Sequence, residues 1–302
     1  MKKIWYESLF SVNTQIHHSP SFRAIMYGDW KIGVVIPAKD EEKHLKNVLE
    51  TLPEYIDHVI VVDDGSKDKT AEIAVNHNLV RLNGEGVGAA IDAGHQKLLE
   101  IIDDKFISVV VAGDGQMDPD DMESVISPIT ESRAHHVKGE RLDRGTKMPL
   151  IRQIGTFILG FLTTLACGQR IADPQCGYTA TNSEVLKHWK WEKSWKGYGY
   201  PNFWLMKLAT KGWKIQHVPV RAIYSGQKSG LKIISFLPKV SIMLLIGLHA
   251  RIISNTVSNP SFFIIFVWAT YVLAWIYNPV LLVFTHIFDR LHVNSITRDL
   301  HD

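Results

Sequence analysis

The sequence predicts an α/β fold with a mainly parallel sheet and helices on both faces. From Lys31 onward, short β-branched runs alternate with segments of helical periodicity, which is typical of parallel sheets. Two runs end in acidic turns: Val59–Val62 precedes Asp63-Asp64-Gly65-Ser66, and Val109–Val111 precedes Ala112-Gly113-Asp114-Gly115-Gln116. Because ligands of open α/β sheets bind at the carboxyl ends of strands, these turns indicate an enzyme that binds a metal-bound nucleotide.

Composition excludes several classes of protein. The 302 residues are 46% hydrophobic and 21% charged, which allows one large core and an appendage. The formal net charge of +2 argues against a nucleic-acid partner, which needs a densely basic surface. Cys167 and Cys176 form no CxxC pair, so we expect neither a zinc site nor a disulfide framework. The N-terminus lacks the apolar core of a signal peptide, so the catalytic part is expected in the cytosol.

We divide the chain into an N-terminal extension (1–30), an α/β domain (31–232) and a membrane-associated helical segment with a tail (233–302). The first strand is predicted at Ile32–Pro37, and Asp40 is the expected N-cap of the helix that follows. Further strands are expected at 59–62, 79–82, 107–111 and 213–220, and helices at 70–74, 89–101, 151–165 and 198–208, with another starting at Asp120. The strand at 213–220 is expected at an edge because Pro219 cannot donate to a ladder.

The last 70 residues are predicted to contact a membrane. Phe262–Phe284 has no charged side chain over about 23 residues, long enough to span a bilayer core. Its tryptophans and tyrosines are typical of membrane interfaces, and Asn278-Pro279 is the place where a kink is expected. A buried helix or a dimer interface is the alternative, which leaves a homo-oligomer open.

Five segments together resemble the family 2 glycosyltransferases of the GT-A fold, in particular the polyprenyl-phosphate sugar synthases. In family order, they look like the first strand with its PxxNE-type turn (34–42), the nucleotide-binding VVDDGSxD segment (61–68), the glycine turn (86–90), the DxD region (112–119) and the DxxCGF element (173–178). They cover about residues 31–230. The resemblance implies a hexosyltransferase-type enzyme with a nucleotide-sugar donor.

The resemblance also implies site residues. The nucleotide-sugar pocket would be lined by Pro37, Ala38, Glu42, Asp63, Asp64, Gly86, Gly88, Gly113 and Asp114. Asp114 and Gln116 would bind Mg2+ or Mn2+, which would neutralise the departing diphosphate. The usual DxD motif has an acid two residues before Asp114, but this chain has Ala112. That departure implies weaker metal binding, or a non-catalytic relative.

Four residues are implied in binding phosphate groups of the acceptor or the donor. Arg141 lies where relatives carry a GSR-type segment, and Arg152 opens the next helix. Their planar guanidinium groups suit phosphate, although two solvated surface arginines would show the same pattern. Lys228 and Ser229 lie in a glycine-flanked segment that resembles a mobile loop closing over the donor.

The expected acceptor is a polyprenyl phosphate. Inverting relatives that act on sugar hydroxyls use an acidic general base, because a hydroxyl must lose its proton, and Asn202 stands where such an acid is expected. An ionised phosphate needs no base. We therefore expect transfer from a UDP- or GDP-sugar to polyprenyl phosphate at the cytoplasmic membrane face. Two alternatives are a glycan hydroxyl acceptor with Asp173 or Glu192 as base, and a non-catalytic nucleotide-sugar-binding membrane protein.

Two residue types carry weaker expectations. Most of the 14 histidines are expected at the surface, since none has a convincing ligand partner at helical spacing. Trp189, Trp191 and Trp195 are interleaved with lysines, which is typical of an edge that faces anionic headgroups, or equally of a solvated cationic loop.

Overall fold

The computed structural model describes residues 27–141, 150–223 and 233–299. The chain forms two compact units. Unit 1 comprises Met1–Thr146, Cys176–Tyr200 and Trp213–Gly230, and unit 2 comprises Lys147–Gln175, Pro201–Gly212 and Leu231–Asp302. The three-part division of the chain made from the sequence stays a prediction, since residues 1–26 lie outside the described residues.

Unit 1 is built on a sheet of seven strands, counted over the described residues. They are β1 Lys31–Ala38, β2 His58–Asp63, β3 Asn78–Arg81, β4 Phe106–Val110, β5 His136–Arg141, β6 Thr179–Asn182 and β7 Ile215–Val220. Their order is β3-β2-β1-β4-β6-β5-β7. Pairing is parallel except that β6 is antiparallel to β4 and β5. The predicted mainly parallel sheet is confirmed, and every strand except β6 ends at the same edge.

The helices are α1 Leu45–Glu50, α2 Thr70–Ile73, α3 Val87–Ile101, α4 Met122–Thr130, α5 Leu150–Cys167, α6 Ser183–Lys187, α7 Tyr200–Thr210, α8 Ile233–Ser258, α9 Phe262–Ile276 and α10 Leu282–Asp299. Alternate residues of β1 face different helices. Val35 lies against Gly94 of α3, whereas Val34 and Ile36 belong to a core that includes residues of α1 and α4. Unit 1 therefore carries helices on both faces of its sheet, as predicted.

The prediction of Asp40 as the N-cap of the first helix was wrong. Helix α1 begins at Leu45 after His44, and Asp40 adopts a left-handed φ of 56°. Its Oδ1 accepts a hydrogen bond from the backbone N–H of Lys67 at 2.7 Å. The side chain is thus used to join two loops instead of capping a helix.

Strand β7 lies at an edge of the sheet, as its proline predicts. Pro219 pairs in register with Glu140 of β5, and its missing N–H is tolerated at this position.

Unit 2 is helical. One helix of the described residues is long and apolar enough to span a membrane, namely Phe236–Ser258 within α8. The apolar stretch Phe262–Phe284 is broken into α9 and α10 by a 3-10 turn, Pro279–Leu281, at the place where a kink is expected from the sequence. The break has a local cause, because Pro279 has no N–H to continue α9 and the Asn278 side chain accepts the backbone N–H of Val280.

Several side chains expected at the surface are buried. The His95 ring bonds to Ser108 Oγ and the His136 ring to Thr181 Oγ1, each at 2.8 Å, so these two are exceptions to the expectation that most histidines lie at the surface. Trp189 is also buried, which removes it from the expected headgroup-facing edge. Cys167 and Cys176 are both buried thiols.

Candidate active site

Four of the predicted site residues lie along one edge of the sheet. Ala38 ends β1, Asp63 ends β2 and Arg141 ends β5. Asp114 follows the carboxyl end of β4, which runs parallel to β1. Because these strands point the same way, all four residues lie at the carboxyl edge, where open α/β sheets bind ligands.

The turn after β4 is tied to the end of β1. The backbone N–H of Gly113 donates to the Pro37 carbonyl at 3.1 Å, and a Cβ added at Gly113 would lie 3.1 Å from the Cβ of Ala38. The absence of a side chain at Gly113 therefore eases the close approach of these two segments. Asp114 Oδ1 accepts the backbone N–H of Gln116 at 3.0 Å across Gly115, whose φ is 71°.

Asp63 and Asp64 are adjacent and both buried, yet their carboxylates differ in use. Asp63 Oδ1 accepts the backbone N–H of Ser66 at 3.0 Å. Asp64 accepts from the backbone N–H groups of Glu85, at 2.6 Å, and Gly86, at 2.9 Å. No hydrogen bond to Asp63 Oδ2 is seen among the described residues, so Asp63 has an oxygen to offer a ligand, whereas Asp64 fixes the turn before α3.

Gly86 and Gly88 make room for another backbone segment. A Cβ at Gly86 would lie 2.6 Å from the Lys196 carbonyl oxygen, and one at Gly88 would lie 2.2 Å from that of Trp195. The backbone N–H of Gly88 donates to the Lys196 carbonyl at 2.8 Å. The glycines thus let residues 195–197 cover the start of α3, and their predicted contact with the donor stays a prediction.

The loops after β1 and β2 are joined by a ladder of hydrogen bonds. Backbone N–H groups of the first loop donate to side chains of the second: Asp40 to Ser66 Oγ at 2.9 Å, Glu41 to Thr70 Oγ1 at 2.7 Å, and Glu42 to Asp68 Oδ2 at 3.0 Å. Glu42 itself is exposed, and its carboxylate accepts the Lys69 N–H at 3.3 Å. Glu42 therefore reinforces the loop pair beside the predicted pocket.

Glu41 is an acid that sequence reasoning passed over. Burial raises the pKa of its carboxyl to about 7, with further contributions from the negative charges of Asp114, Asp68 and Asp40. Burial also raises the pKa of Asp114. Glu41 lies in the PxxNE-type turn, so the motif could have drawn attention to it, but its proximity to Asp114 depends on the fold.

Arg221 is a second residue that the sequence did not reveal. It follows β7, and its guanidinium lies 3.1 Å from Asp121 and 3.3 Å from Asp118. The adjoining chain also supports the turn after β4, because the backbone N–H of Ile223 donates to the Gln116 carbonyl at 3.0 Å. These contacts join segments a hundred residues apart, beyond the reach of local patterns.

Three of the predicted phosphate-binding residues, Arg152, Lys228 and Ser229, are not placed at this edge by the described structure. Lys228 and Ser229 lie outside the described residues. Arg152 is in α5 of unit 2, and its side chain is likewise outside them. Arg141 is in unit 1 and partly buried. The predicted phosphate-binding role of all four stays a prediction.

The two general-base candidates, Asp173 and Glu192, and Asn202, which stands where an acid is expected, also have defined places. Asp173 is fully buried, and its Oδ1 accepts the backbone N–H of Gln175 at 3.3 Å. Asn202, also fully buried, donates to Thr163 Oγ1 at 2.7 Å and accepts from the Gln175 amide. Asn202 is thus a packing residue inside unit 2, while Glu192 is exposed.

The turn after β4 offers oxygen donors suited to a divalent cation. Within the described ranges, no group of three or more His, Cys, Asp or Glu side chains could hold a metal. Mg2+ commonly takes one or two carboxylates and completes its shell with water and substrate phosphates. The Asp114 carboxylate and the Gln116 amide fit such a cation, and the burial that raises the Asp114 pKa is a cost that a cation would offset.

Comparison with known proteins agrees with this architecture. The solved glucosyl-3-phosphoglycerate synthase of Mycobacterium tuberculosis, in complex with Mn2+, uridine diphosphate and phosphoglyceric acid, superimposes with a TM-score of 0.57 at 19% identity, covering 78% of this chain and 84% of that one. This similarity confirms the GT-A fold.

Two proteins that are related by sequence share a higher identity with this chain than that solved structure does. A UDP-N-acetylglucosamine–dolichyl-phosphate N-acetylglucosaminyltransferase of Methanococcus voltae is 32% identical over 225 residues, covering 65% of this chain and 87% of that protein. A dolichyl-phosphate beta-glucosyltransferase of Trichomonas vaginalis is 33% identical over 184 residues, covering 51% and 52%. The model of the family described as Glycosyl transferase family 2 matches residues 33–189. The chain belongs to glycosyl transferase family 2 and is a glycosyltransferase.

Proposed function

We propose that this enzyme transfers a sugar from a UDP- or GDP-sugar to a polyprenyl phosphate, with inversion at the anomeric carbon, at the cytoplasmic face of a membrane. The observation that carries the proposal is that Asp63, Asp114 and Arg141 all lie along the carboxyl edge of one sheet. Two relatives whose names specify dolichyl phosphate as the acceptor support the lipid phosphate.

The donor half of the site follows from the strand ends. The nucleotide would lie across the ends of β1 and β2, against Pro37 and Ala38, with Asp63 Oδ2 accepting a hydrogen bond from the base or ribose. The hydrogen-bonded loop pair and the Asp64 tether hold this region in place. A pocket fixed in advance loses less conformational entropy when the donor binds.

The diphosphate would lie near the turn after β4. Asp114 and Gln116 would hold a divalent cation, which supplies charge neutralisation to the departing nucleoside diphosphate. Ala112 leaves the usual first acid of the motif absent, so we expect the cation to bind weakly without nucleotide and to take more of its ligands from the diphosphate.

The acceptor phosphate would attack directly. One of its oxygens forms the new bond to the anomeric carbon while the bond from that carbon to the diphosphate oxygen breaks, and the nucleoside diphosphate leaves. No proton has to be removed from an ionised phosphate. The full burial of Asp173 suits this chemistry better than a hydroxyl acceptor does, because a general base must reach the attacking group.

The test uses the full chain in detergent with Mn2+, radiolabelled UDP- and GDP-sugars and a short polyprenyl phosphate, followed by extraction of the lipid phase. We expect label in the organic phase, and its loss in Asp114→Ala. Asp104→Ala is the matched control, because Asp104 is exposed and precedes β4 at the opposite edge. Release of nucleoside diphosphate only with a glycan acceptor, and no labelled lipid, would replace this proposal with the hydroxyl acceptor.

A further inference from the structure

Helices α9 and α10 form an antiparallel hairpin. Ser261, before α9, lies 2.5 Å from the His292 ring of α10 (Oγ to Nδ1), and the rings of Phe266 and Phe288 stack at 5.1 Å. Both pairs are centred on the turn at residues 277–281. We call residues 272–284 the closed end of this hairpin, and the region around Ser261 and His292 its open end.

The closed end carries many large apolar side chains that are exposed. Exposed residues there are Val272, Leu273, Trp275, Ile276, Tyr277, Val280, Val283 and Phe284. No Asp, Glu, Lys or Arg occurs between Phe262 and Thr285. A contiguous apolar surface of this kind marks an interaction site instead of ordinary solvent-exposed surface.

Four backbone N–H groups at the turn are bound by nearby acceptors of the same hairpin. The N–H of Tyr277 donates to the Leu273 carbonyl, and that of Leu281 to the Asn278 carbonyl. The N–H of Val280 is bound by the Asn278 side chain at 2.9 Å, the N–H of Leu282 donates to carbonyls within the turn, and Pro279 has none.

The threonine hydroxyls on either side of the closed end are also bound internally. Thr270 donates to the Phe266 carbonyl at 2.7 Å, and Thr285 donates to the Leu281 carbonyl at 3.4 Å. Internal pairing of backbone and hydroxyl groups is what a hydrocarbon environment requires, whereas a turn in water has no such need.

The charges of unit 2 mark how far the hairpin can enter. Arg251 of α8 lies 2.7 Å from Asp289 of α10, and both are buried. By the pairing above, Asp289 is level with Ile265, which is about 18 Å from Tyr277 at 1.5 Å per residue. One leaflet of the hydrocarbon core is about 15 Å thick. The ion pair would therefore lie at headgroup level when the closed end is inserted.

We propose that the closed end of the hairpin enters the hydrocarbon of one leaflet and does not cross the bilayer. Helix α9 has 15 residues and is thus about 22 Å long, short of the roughly 30 Å core. This inference deepens the proposed function, on which it rests for its purpose, because it describes how the enzyme would reach the leaflet that holds a polyprenyl phosphate.

The insertion depth is tested with the full chain carrying an environment-sensitive fluorophore on Val280→Cys or, as the control, on Asn259→Cys beside the open end. The native cysteines are buried, so the parent chain is the labelling blank. In phosphatidylcholine vesicles without polyprenyl phosphate, we expect the label at 280 to be quenched by nitroxides deep in the acyl chains and the label at 259 by aqueous iodide.

Three results would overturn the proposal. Quenching of the label at 280 by iodide trapped inside the vesicles would show a crossing, and quenching by shallow nitroxides alone would show a surface position. If the fluorescence of the label at 280 changes with protein concentration but not on addition of lipid, the closed end contacts a second copy of the chain. Because no acceptor lipid is present, none of these results bears on the transfer reaction.

A charge at the closed end provides a second test. Val280→Asp should weaken partitioning into vesicles on the order of 100-fold, given the cost of an acid in hydrocarbon. Val75→Asp is the matched control, since Val75 is 67% exposed in unit 1 and Val280 is 66% exposed. Donor binding by both variants in detergent should equal that of the parent chain. Equal partitioning of the two variants would contradict insertion.

Discussion

Asp64 holds the turn before α3 through both of its carboxylate oxygens, which accept the backbone N–H groups of Glu85 at 2.6 Å and Gly86 at 2.9 Å. One buried side chain at the end of β2 thereby fixes a turn more than twenty residues away. Among the described residues, the side chain of the neighbouring Asp63 accepts one hydrogen bond, from the backbone N–H of Ser66. Two adjacent acids of the same motif thus have separable tasks.

Asparagine substitutions should separate those tasks. Asp64→Asn keeps the shape but replaces one acceptor with an NH2 group that faces an N–H, so the free energy of unfolding should fall by about 1.5–3 kcal/mol. Asp63→Asn can still accept from Ser66 and should cost less than about 1 kcal/mol, but it should weaken donor binding. Urea unfolding and calorimetric titration with nucleotide measure the two effects, and the opposite ranking in stability would contradict the assignment.

Glu41 should make stability depend on pH in a predictable direction. Burial raises the pKa of Glu41 from its ordinary value of 4.5 to about 7 in the folded protein. Between these two pH values the folded state therefore binds a proton that the unfolded state has lost. The contribution of Glu41 to stability is therefore favourable at low pH and is lost as pH rises from about 4.5 to 7.

The corresponding experiment compares Glu41→Gln with the parent chain by thermal unfolding at several pH values. The variant should gain stability relative to the parent at pH 8, and the gain should shrink toward pH 4.5. Glu72→Gln changes an exposed acid of α2 and should show no such trend. An equal effect of Glu41→Gln at both pH values would show that the charge of Glu41 is not the cause.

Gly88 should tolerate no side chain. In Gly88→Ala the new Cβ would lie 2.2 Å from the Trp195 carbonyl oxygen, so either residues 195–197 or the start of α3 must move, at a cost of about 1–3 kcal/mol. Gly155→Ala is the control within α5, because no atom of the described residues lies within 4 Å of a Cβ built there, and alanine should favour the helix by up to about 1 kcal/mol. Melting temperatures of both variants test this pair, and equal shifts would argue against the close approach.

The Arg251–Asp289 ion pair should show strong coupling. Arg251 also donates to the Leu165 carbonyl at 2.7 Å, so Arg251→Met leaves a buried carboxylate and a carbonyl without their donor. A loss of about 3–5 kcal/mol in the stability of unit 2 is expected. The double variant with Asp289→Leu should recover much of it, and additive losses in detergent unfolding would show that the two side chains do not act as a pair.

Strands β1 and β4 were predictable because their apolar sequences indicate burial directly, whereas β5, His136–Arg141, has no such run and was not predicted. Ile32–Ile36 and Phe106–Val110 are buried along their whole length, and parallel strands covered on both faces consist of continuous apolar runs. Asp63 and Asp114 come at the ends of two strands of this kind. They could be placed at one edge because parallel strands end at the same edge of a sheet. The sequence therefore predicts the fold class and the location of the candidate site.

The failures have a common physical origin in contacts between distant parts of the chain. Asp40 looked like an N-cap, but its carboxylate is bound by the backbone N–H of Lys67. Arg221 belongs to no motif that the sequence offers, yet it pairs with Asp118 and Asp121. In each case local propensity permitted several partners, and only the fold selects one.

The two edges of the sheet have a consequence for crowding. Strand β3 has only four residues, with Asn78 and Arg81 exposed at its ends, and β7 carries the exposed Pro219. Short, polar or proline-containing edges resist the addition of strands from other molecules. An enzyme confined to a membrane surface meets copies of itself far more often than one in bulk solution. Within the described part of the chain, these blunted edges should keep such encounters from growing into aggregates.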